Sequence, residues 1–281
     1  MTDMEKKQLE ILACNVRMGI LEATHGGKSG HPGGSLSAAD VFTYLYFKEL
    51  KIDPNNPRWE ERDRFVLSKG HTAPGLYSAL ANREFFPLED LPTLRHIGSH
   101  LQGHPNMNST PGVDMSTGSL GQGVSAAAGM ALAAKYQGKN CRVYTLLGDG
   151  EIQEGQPWEA FMFARHYKLD NLCVIIDNNH LQIDGRVEEV MSPYPIPDKL
   201  RAFGFAVEEI DGHSFVQMEK AFAKARATKG MPFAVIMSTV KGKGVSFMED
   251  QAGWHGKAPN DAEYEQAMSE LRSQLEQLEG M

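Results

Sequence analysis

Between Val143 and Leu181 the chain reads as an apolar strand, the tripeptide Gly148-Asp149-Gly150, a helix, and a second apolar strand running into Asp177-Asn178-Asn179. No other stretch restricts the fold as much. Val143 to Leu147 and Asn171 to Ile176 are short and apolar, as in strands buried on both faces. From Gln156 to Tyr167, Trp158, Phe161, Met162 and Arg165 recur at helical spacing behind Pro157, a residue suited to a first turn. Strand, helix, strand is a βαβ unit, whose right-handed crossover sets the strands parallel with their carboxyl ends side by side. Asp149 and Asn179 then face each other across one small space. A carboxylate and an amide offer oxygen ligands to a hard cation such as Mg²⁺ and leave coordination sites for water and phosphate. Taken alone, Gly-Asp-Gly reads more readily as a hairpin turn, but a helix follows it here in place of a pairing strand.

The same strand-tip pattern recurs. Arg64 to Ser68 reads as a strand ending in Lys69-Gly70-His71 before a helix from about Ala73, and Phe233 to Met237 as another leading to Lys241-Gly242-Lys243-Gly244. Open parallel sheets bind ligands at the carboxyl ends of their strands, so Lys241 is a candidate counter-charge for a diphosphate and His71 a candidate site residue. Three more histidines stand in Gly- or Pro-rich loops: His31 in a stretch from Ser29 to Gly34 too rich in glycine for regular structure, His104 before Pro105, and His255 after Trp254. His31 also has an ordinary reading as a polar loop tip. The turn Gly118-Ser119-Leu120-Gly121 offers backbone N–H groups at a helix start. That helix, Val124 to Tyr136, is mostly Ala, Gly and Ser, which permits tight packing within the domain or at an intersubunit contact.

The remaining pattern gives a helix capped by Asp3 and ended by Gly26 and Gly27, and one from Ser35 or Ser37 to Lys48. Further on come a short helix from Asp198 to Phe203, a strand from Ala206 to Ile210, and helices from Phe215 to Ala227 and Asp261 to Leu278. The expected class is α/β, an open, mainly parallel sheet with helices on both faces, in one domain spanning residues 1–281. A net charge of −8, without long like-charged blocks, argues against a nucleic-acid surface. No apolar run reaches the length of a membrane span and the first residues lack a signal peptide's apolar centre, so a cytoplasmic location is expected. Cys14, Cys141 and Cys173 are far apart and lack metal-ligand spacing, which predicts buried thiols.

In order along the chain stand GHPGG (30–34), SKGH (68–71), GHP (103–105), STGSLGQG (116–123), GDGEIQEG (148–155), DNNHLQIDG (177–185), KGKG (241–244) and WHG (254–256). Together they resemble the amino-terminal half of a transketolase, over nearly the whole chain. The resemblance implies a thiamine diphosphate-binding fold and transfer of a two-carbon ketol unit from a ketose phosphate to an aldose. It implies Asp149, Asn179 and the backbone carbonyl of Leu181 as ligands of Mg²⁺ or Ca²⁺. Lys69, His71, Gly118, Ser119, Leu120, Asp149, Gly150, Glu154, Asn179, Lys241 and His255 would contact or support the cofactor, and His31, His104 and His255 would line the sugar channel and act in catalysis.

The chain departs from that family in two respects. His180 stands where the family commonly has glycine, and the pyrimidine-binding domain that follows in transketolases is missing. The resemblance therefore implies the amino-terminal subunit of a split transketolase, active with a separately encoded pyrimidine-domain chain and paired in a heterotetramer. A deoxyxylulose phosphate synthase or ketoacid dehydrogenase component shares GDG and the later Asn, and a noncatalytic relative would keep the fold. The GHP (103–105) and WHG motifs favour transketolase, and the intact Asp149, Asn179 and histidines favour an enzyme.

Overall fold

The computed structural model describes residues 1–280. Among them, five parallel strands form the central sheet: β1 (Arg64–Leu67), β2 (Val143–Gly148), β3 (Leu172–Asn178), β6 (Ala206–Asp211) and β7 (Phe233–Ser238), in the order β1-β2-β3-β7-β6. The short strands β4 (Leu181–Gln182) and β5 (Gly185–Arg186) pair antiparallel in a separate ribbon. The helices are α1 (Asp3–Gly26), α2 (Pro32–Ser37), α3 (Ala39–Tyr44), α4 (Ala73–Asn82), α5 (Gln122–Tyr136), α6 (Gly155–His166), α7 (Val187–Met191), α8 (Ile196–Ala202), α9 (Phe215–Ala227) and α10 (Asp261–Gly280).

Strand residues alternate between two cores, as a period of two requires. Leu67, Leu146, Ile175 and Val235 face a core shared with α1, α3, α4, α9 and α10. Val66, Leu147, Val174 and Ile176 face the opposite core, closed by α5, α6 and α8. Helices thus cover both faces, which is why the strands read as continuous apolar runs. The chain leaves β3 toward the α8 side and β7 toward the α10 side. The crevice at their carboxyl ends is a topological switch point, where open α/β sheets take their ligands.

Three local expectations are corrected. Thr2, not Asp3, caps α1: its hydroxyl accepts the Glu5 N–H at 3.2 Å while the Glu5 carboxylate accepts the Thr2 N–H at 2.8 Å, a reciprocal pair that leaves Asp3 in the first turn. The stretch from Ser29 to Gly34 is helical from Pro32 onward. Its glycines serve close approach, since a Cβ on Gly33 would lie 2.8 Å from the Trp254 carbonyl and one on Gly34 2.9 Å from Thr72. Nor is there one helix as far as Lys48. The chain breaks at Ala38 and closes α3 with a π-type turn over Leu45–Glu49.

The three cysteines are buried and unpaired, as expected, and Cys14 Sγ donates to the Leu271 carbonyl under α10. Among the described residues no helix is long and apolar enough to cross a membrane.

Candidate active site

The site begins with a saturated floor. Asp177, near the end of β3 and 1% exposed, accepts Lys69 Nζ, Ser37 Oγ and, at 3.2 Å, Asn179 Nδ2 on Oδ2, and Thr239 Oγ1 on Oδ1. Lys69, 2% exposed at the tip of β1, also donates to the Gly34 carbonyl at 3.3 Å. Burial alone would raise the Asp177 pKa, but the adjacent ammonium and hydroxyls hold it below the ordinary value. Sequence reasoning counted Asp177 only as part of a motif. Its one signal is a carboxylate closing an otherwise apolar strand.

Above this floor lies a cavity of about 260 Å³. Lys69, His71, Leu120, Asp149, Gly150, Glu154, Asn179, Leu181, Lys241 and His255 line it, with Gln182 and Ile183 completing one side. Gly118 and Ser119 line an adjoining hollow instead. Gly148 pairs with Asp177 across β2 and β3, which sets Asp149 against the loop carrying Asn179. Asp149 accepts the His180 N–H at 2.6 Å and the Gly150 N–H at 2.8 Å, and Asn179 Oδ1 accepts the Leu181 N–H at 3.1 Å. Burial, and then the neighbouring Asp177, push the Asp149 pKa up to about 6.

Lys241 is the complement. It is 2% exposed, and its Nζ meets the Leu181 carbonyl at 3.1 Å and His255 Nδ1 at 3.0 Å, neither of them anionic. Burial and the nearby Lys69 bring its pKa down to about 8. The cavity thus holds a buried carboxylate and a buried ammonium, neither ion-paired with an opposite charge, an arrangement that favours an occupant bearing both signs. Among the described residues no group of three or more His, Cys, Asp or Glu forms a metal site. The oxygen donors are one carboxylate, one amide and one carbonyl, a partial shell of the kind Mg²⁺ completes with phosphate and water. This donor set, with the Lys241 ammonium beside it on the Leu181 carbonyl, fits a metal diphosphate.

Four histidines from separate segments cluster into a wall at one end of the cavity: His71 and His255 are part of its lining, whereas His31 and His104 are not and stand against them. The His31 ring lies 5.3 Å from His71, 5.5 Å from His255 and 6.4 Å from His104, and His71 stacks on His255 at 5.0 Å. Burial comes first in lowering all four pKa values: His31 to about 4, His255 to about 3, His71 well below its ordinary value, and His104 in the same direction. Neighbouring cations add to the effect. At neutral pH the wall is uncharged. His31 Nδ1 is buried without a partner.

Arg95 was missed. At φ +63° it lays its guanidinium across Gly103, where a Cβ would stand 2.6 Å from Nε, and lowers both His31 and His104. It comes from an irregular stretch in which no periodicity could mark it.

His180 holds a backbone conformation that favours glycine. Its φ is +63°, a left-handed conformation that costs a non-glycine residue about 1–2 kcal/mol. Tyr194 Oη donates to Asn178 Oδ1 at 2.8 Å and lies 2.8 Å from His180 Nδ1. Because the hydroxyl has a single proton, His180 Nδ1 is the donor in the second contact. The ring also stacks on Tyr194, which offsets the strain.

The Gly118–Gly121 turn is less open than the sequence implied. The Gly121 N–H, at φ +84°, is taken by buried Glu151 at 2.9 Å, and the same carboxylate accepts Ser68 Oγ and the Gly148 N–H. Glu151, also missed, joins β1, β2 and the start of α5.

The family described as "Transketolase, thiamine diphosphate binding domain" matches residues 10–277. The chain is 47% identical over 245 residues to the 6-deoxy-6-sulfo-D-fructose transketolase subunit SqwG of a Clostridium species, covering 87% of this chain and 89% of that one. It is 42% identical over 276 residues to an apulose-4-phosphate transketolase subunit of Phocaeicola vulgatus, covering 98% of each. The crystal structure of Campylobacter jejuni transketolase superposes with a TM-score of 0.90 at 33% identity, over 98% of this chain and 43% of that one. The chain therefore spans less than half the length of that transketolase. It belongs to the transketolase family, and residues 10–277 form its thiamine diphosphate-binding domain.

Proposed function

We propose that this protein is the amino-terminal subunit of a split transketolase. It binds thiamine diphosphate with Mg²⁺ or Ca²⁺ and transfers a two-carbon ketol unit from a ketose phosphate to an aldose. One observation carries the reading: unpaired Asp149 and Lys241 face one cavity under a wall of neutral histidines. The near end-to-end match with relatives named as transketolase subunits supports the split arrangement.

In this reading Asp149, Asn179 and the Leu181 carbonyl hold the metal and Lys241 faces the diphosphate. Lys69 anchors the floor, Leu120, Gly150, Glu154 and His71 shape the walls around the cofactor, and Gly118 and Ser119 flank it from the adjoining hollow. When bound, thiamine diphosphate supplies the centre that stabilises the carbanion of the two-carbon unit. His31, His104 and His255, neutral at pH 7, accept and return hydroxyl protons of the sugar, each worth about 10²–10³-fold when well placed. A pyrimidine-binding domain from a separately encoded chain completes the site, and two such pairs assemble as a heterotetramer.

The test is a ketol-transfer assay on purified chain with Mg²⁺, cofactor, a ketose phosphate and an aldose, with and without the partner chain. Misplacing a reacting group by about 1 Å costs about 10²-fold, so the chain alone should be silent and the mixture active. Full activity without a partner would sink the split-subunit reading.

A further inference from the structure

Beneath the loop that carries Lys241, three side chains from elsewhere in the fold converge on its backbone. His213, in the turn after β6, accepts the Val240 N–H on Nε2 at 3.0 Å. A backbone N–H can only donate, so Nε2 bears the lone pair and Nδ1 the proton. That proton faces Asp40 Oδ2, 2.7 Å away on α3. The same oxygen takes Arg17 Nη2 at 2.6 Å, and Arg17 Nε donates from α1 to the Lys243 carbonyl at 3.1 Å. The backbone on both sides of Lys241 is therefore tied to one carboxylate that is 5% exposed.

Between the two ties the loop has no freedom to compensate. Gly242, at φ +79°, donates its N–H to the Gly33 carbonyl at 2.9 Å, and a Cβ there would lie 2.2 Å from the Met248 carbonyl oxygen. None of Arg17, Asp40 and His213 lines the cavity. The cluster holds the backbone on either side of Lys241 from outside the cavity.

We infer that Asp40, His213 and Arg17 are positioning residues that set the Lys241 ammonium against the diphosphate of the cofactor. The inference rests on the cavity being the diphosphate site. Losing His213 lets the Val240–Gly244 segment shift while the sheet stays formed, so the cost falls on phosphate affinity.

Three chains spanning residues 1–281 test this: the parent, His213→Phe, which keeps a ring but removes both contacts, and His213→Gln, which keeps an acceptor for the Val240 N–H. Amide hydrogen exchange and calorimetric titration with Mg²⁺-pyrophosphate are the readouts, at a temperature where all three are folded. In His213→Phe, exchange across Val240–Gly244 should rise about 10-fold with β3 and β7 unchanged, and pyrophosphate affinity should fall about 10-fold. His213→Gln should recover most of both. Equal affinity and exchange in parent and His213→Phe would overturn the inference, as would exchange rising evenly through the sheet without recovery in His213→Gln. A parent chain that binds no pyrophosphate would instead bring down the reading of the cavity, and this inference with it.

Discussion

Lys69 and Lys241 are both 2% exposed at strand tips of the same sheet, yet they stand in opposite electrostatic situations. Lys69 sits on Asp177 in a floor where every partner is within the chain. Lys241 meets only a carbonyl and an imidazole. A buried charge costs several kcal/mol unless it is compensated. The floor meets that cost internally and holds the architecture, whereas the cavity leaves it unmet until a ligand supplies the opposite charge. Burial of a lysine thus says little about its role, and the identity of its partner says much.

The sharpest way to break this contrast is Lys69→Met, which strands the Asp177 carboxylate and should lower stability by about 3–5 kcal/mol in a denaturant titration. A loss below about 1 kcal/mol would remove the distinction between floor and cavity.

Asp149→Ala acts on the cavity. It should weaken Mg²⁺-dependent thiamine diphosphate binding by at least about 100-fold, since a supporting partner alone is worth about 10–100-fold in metal affinity. The near-ultraviolet circular dichroism should not change. Unchanged affinity in calorimetry would remove Asp149 from the metal site.

His31→Ala and His104→Ala should lower donor-sugar turnover in the assembled enzyme by about 10²-fold while cofactor affinity holds. The opposite pattern, lost cofactor affinity with normal sugar kinetics, would reverse the division between wall and cavity.

Lys241→Met removes a cation that has no anionic partner, so no carboxylate is stranded. Stability should hold or rise, because an uncompensated buried charge is removed, while Mg²⁺-pyrophosphate affinity falls about 10-fold. Destabilisation as large as that of Lys69→Met would show the two lysines to be equivalent.

The last effect is on pH. His31 binds a proton at about 6.5 when unfolded but only near 4 when folded, and the other wall histidines are shifted the same way. The folded pKa is the lower one, so this contribution is fully present above pH 6.5 and is lost as pH falls through about 4. Denaturant midpoints should drop between pH 7 and pH 5, with a shallower drop in His31→Gln. Equal slopes would place His31 in a more solvated setting.

The sequence by itself determined the sheet and the address of the site. Apolar runs at β2, β3 and β7 gave strands because hydrophobic periodicity is local, and Asp149, Asn179, His71 and Lys241 were found because a parallel sheet puts every strand tip on one side. What it could not reach were contacts between residues far apart in the chain. Asp3 read as the helix cap, and only the reciprocal bond between Thr2 and Glu5 shows that Thr2 takes that place. The glycines from 30 to 34 looked like loop because their reason, the approach of Thr72 and Trp254, comes from other elements. Arg95, Glu151 and the Asp40–His213 pair carry no periodic signal, since each acts through a partner that folding alone brings near. Tertiary structure also decided which lysine keeps its charge paired. Burial and ion pairing are set by neighbours in space, so of two strand-tip lysines that look alike in sequence one is paired with a carboxylate and the other is not.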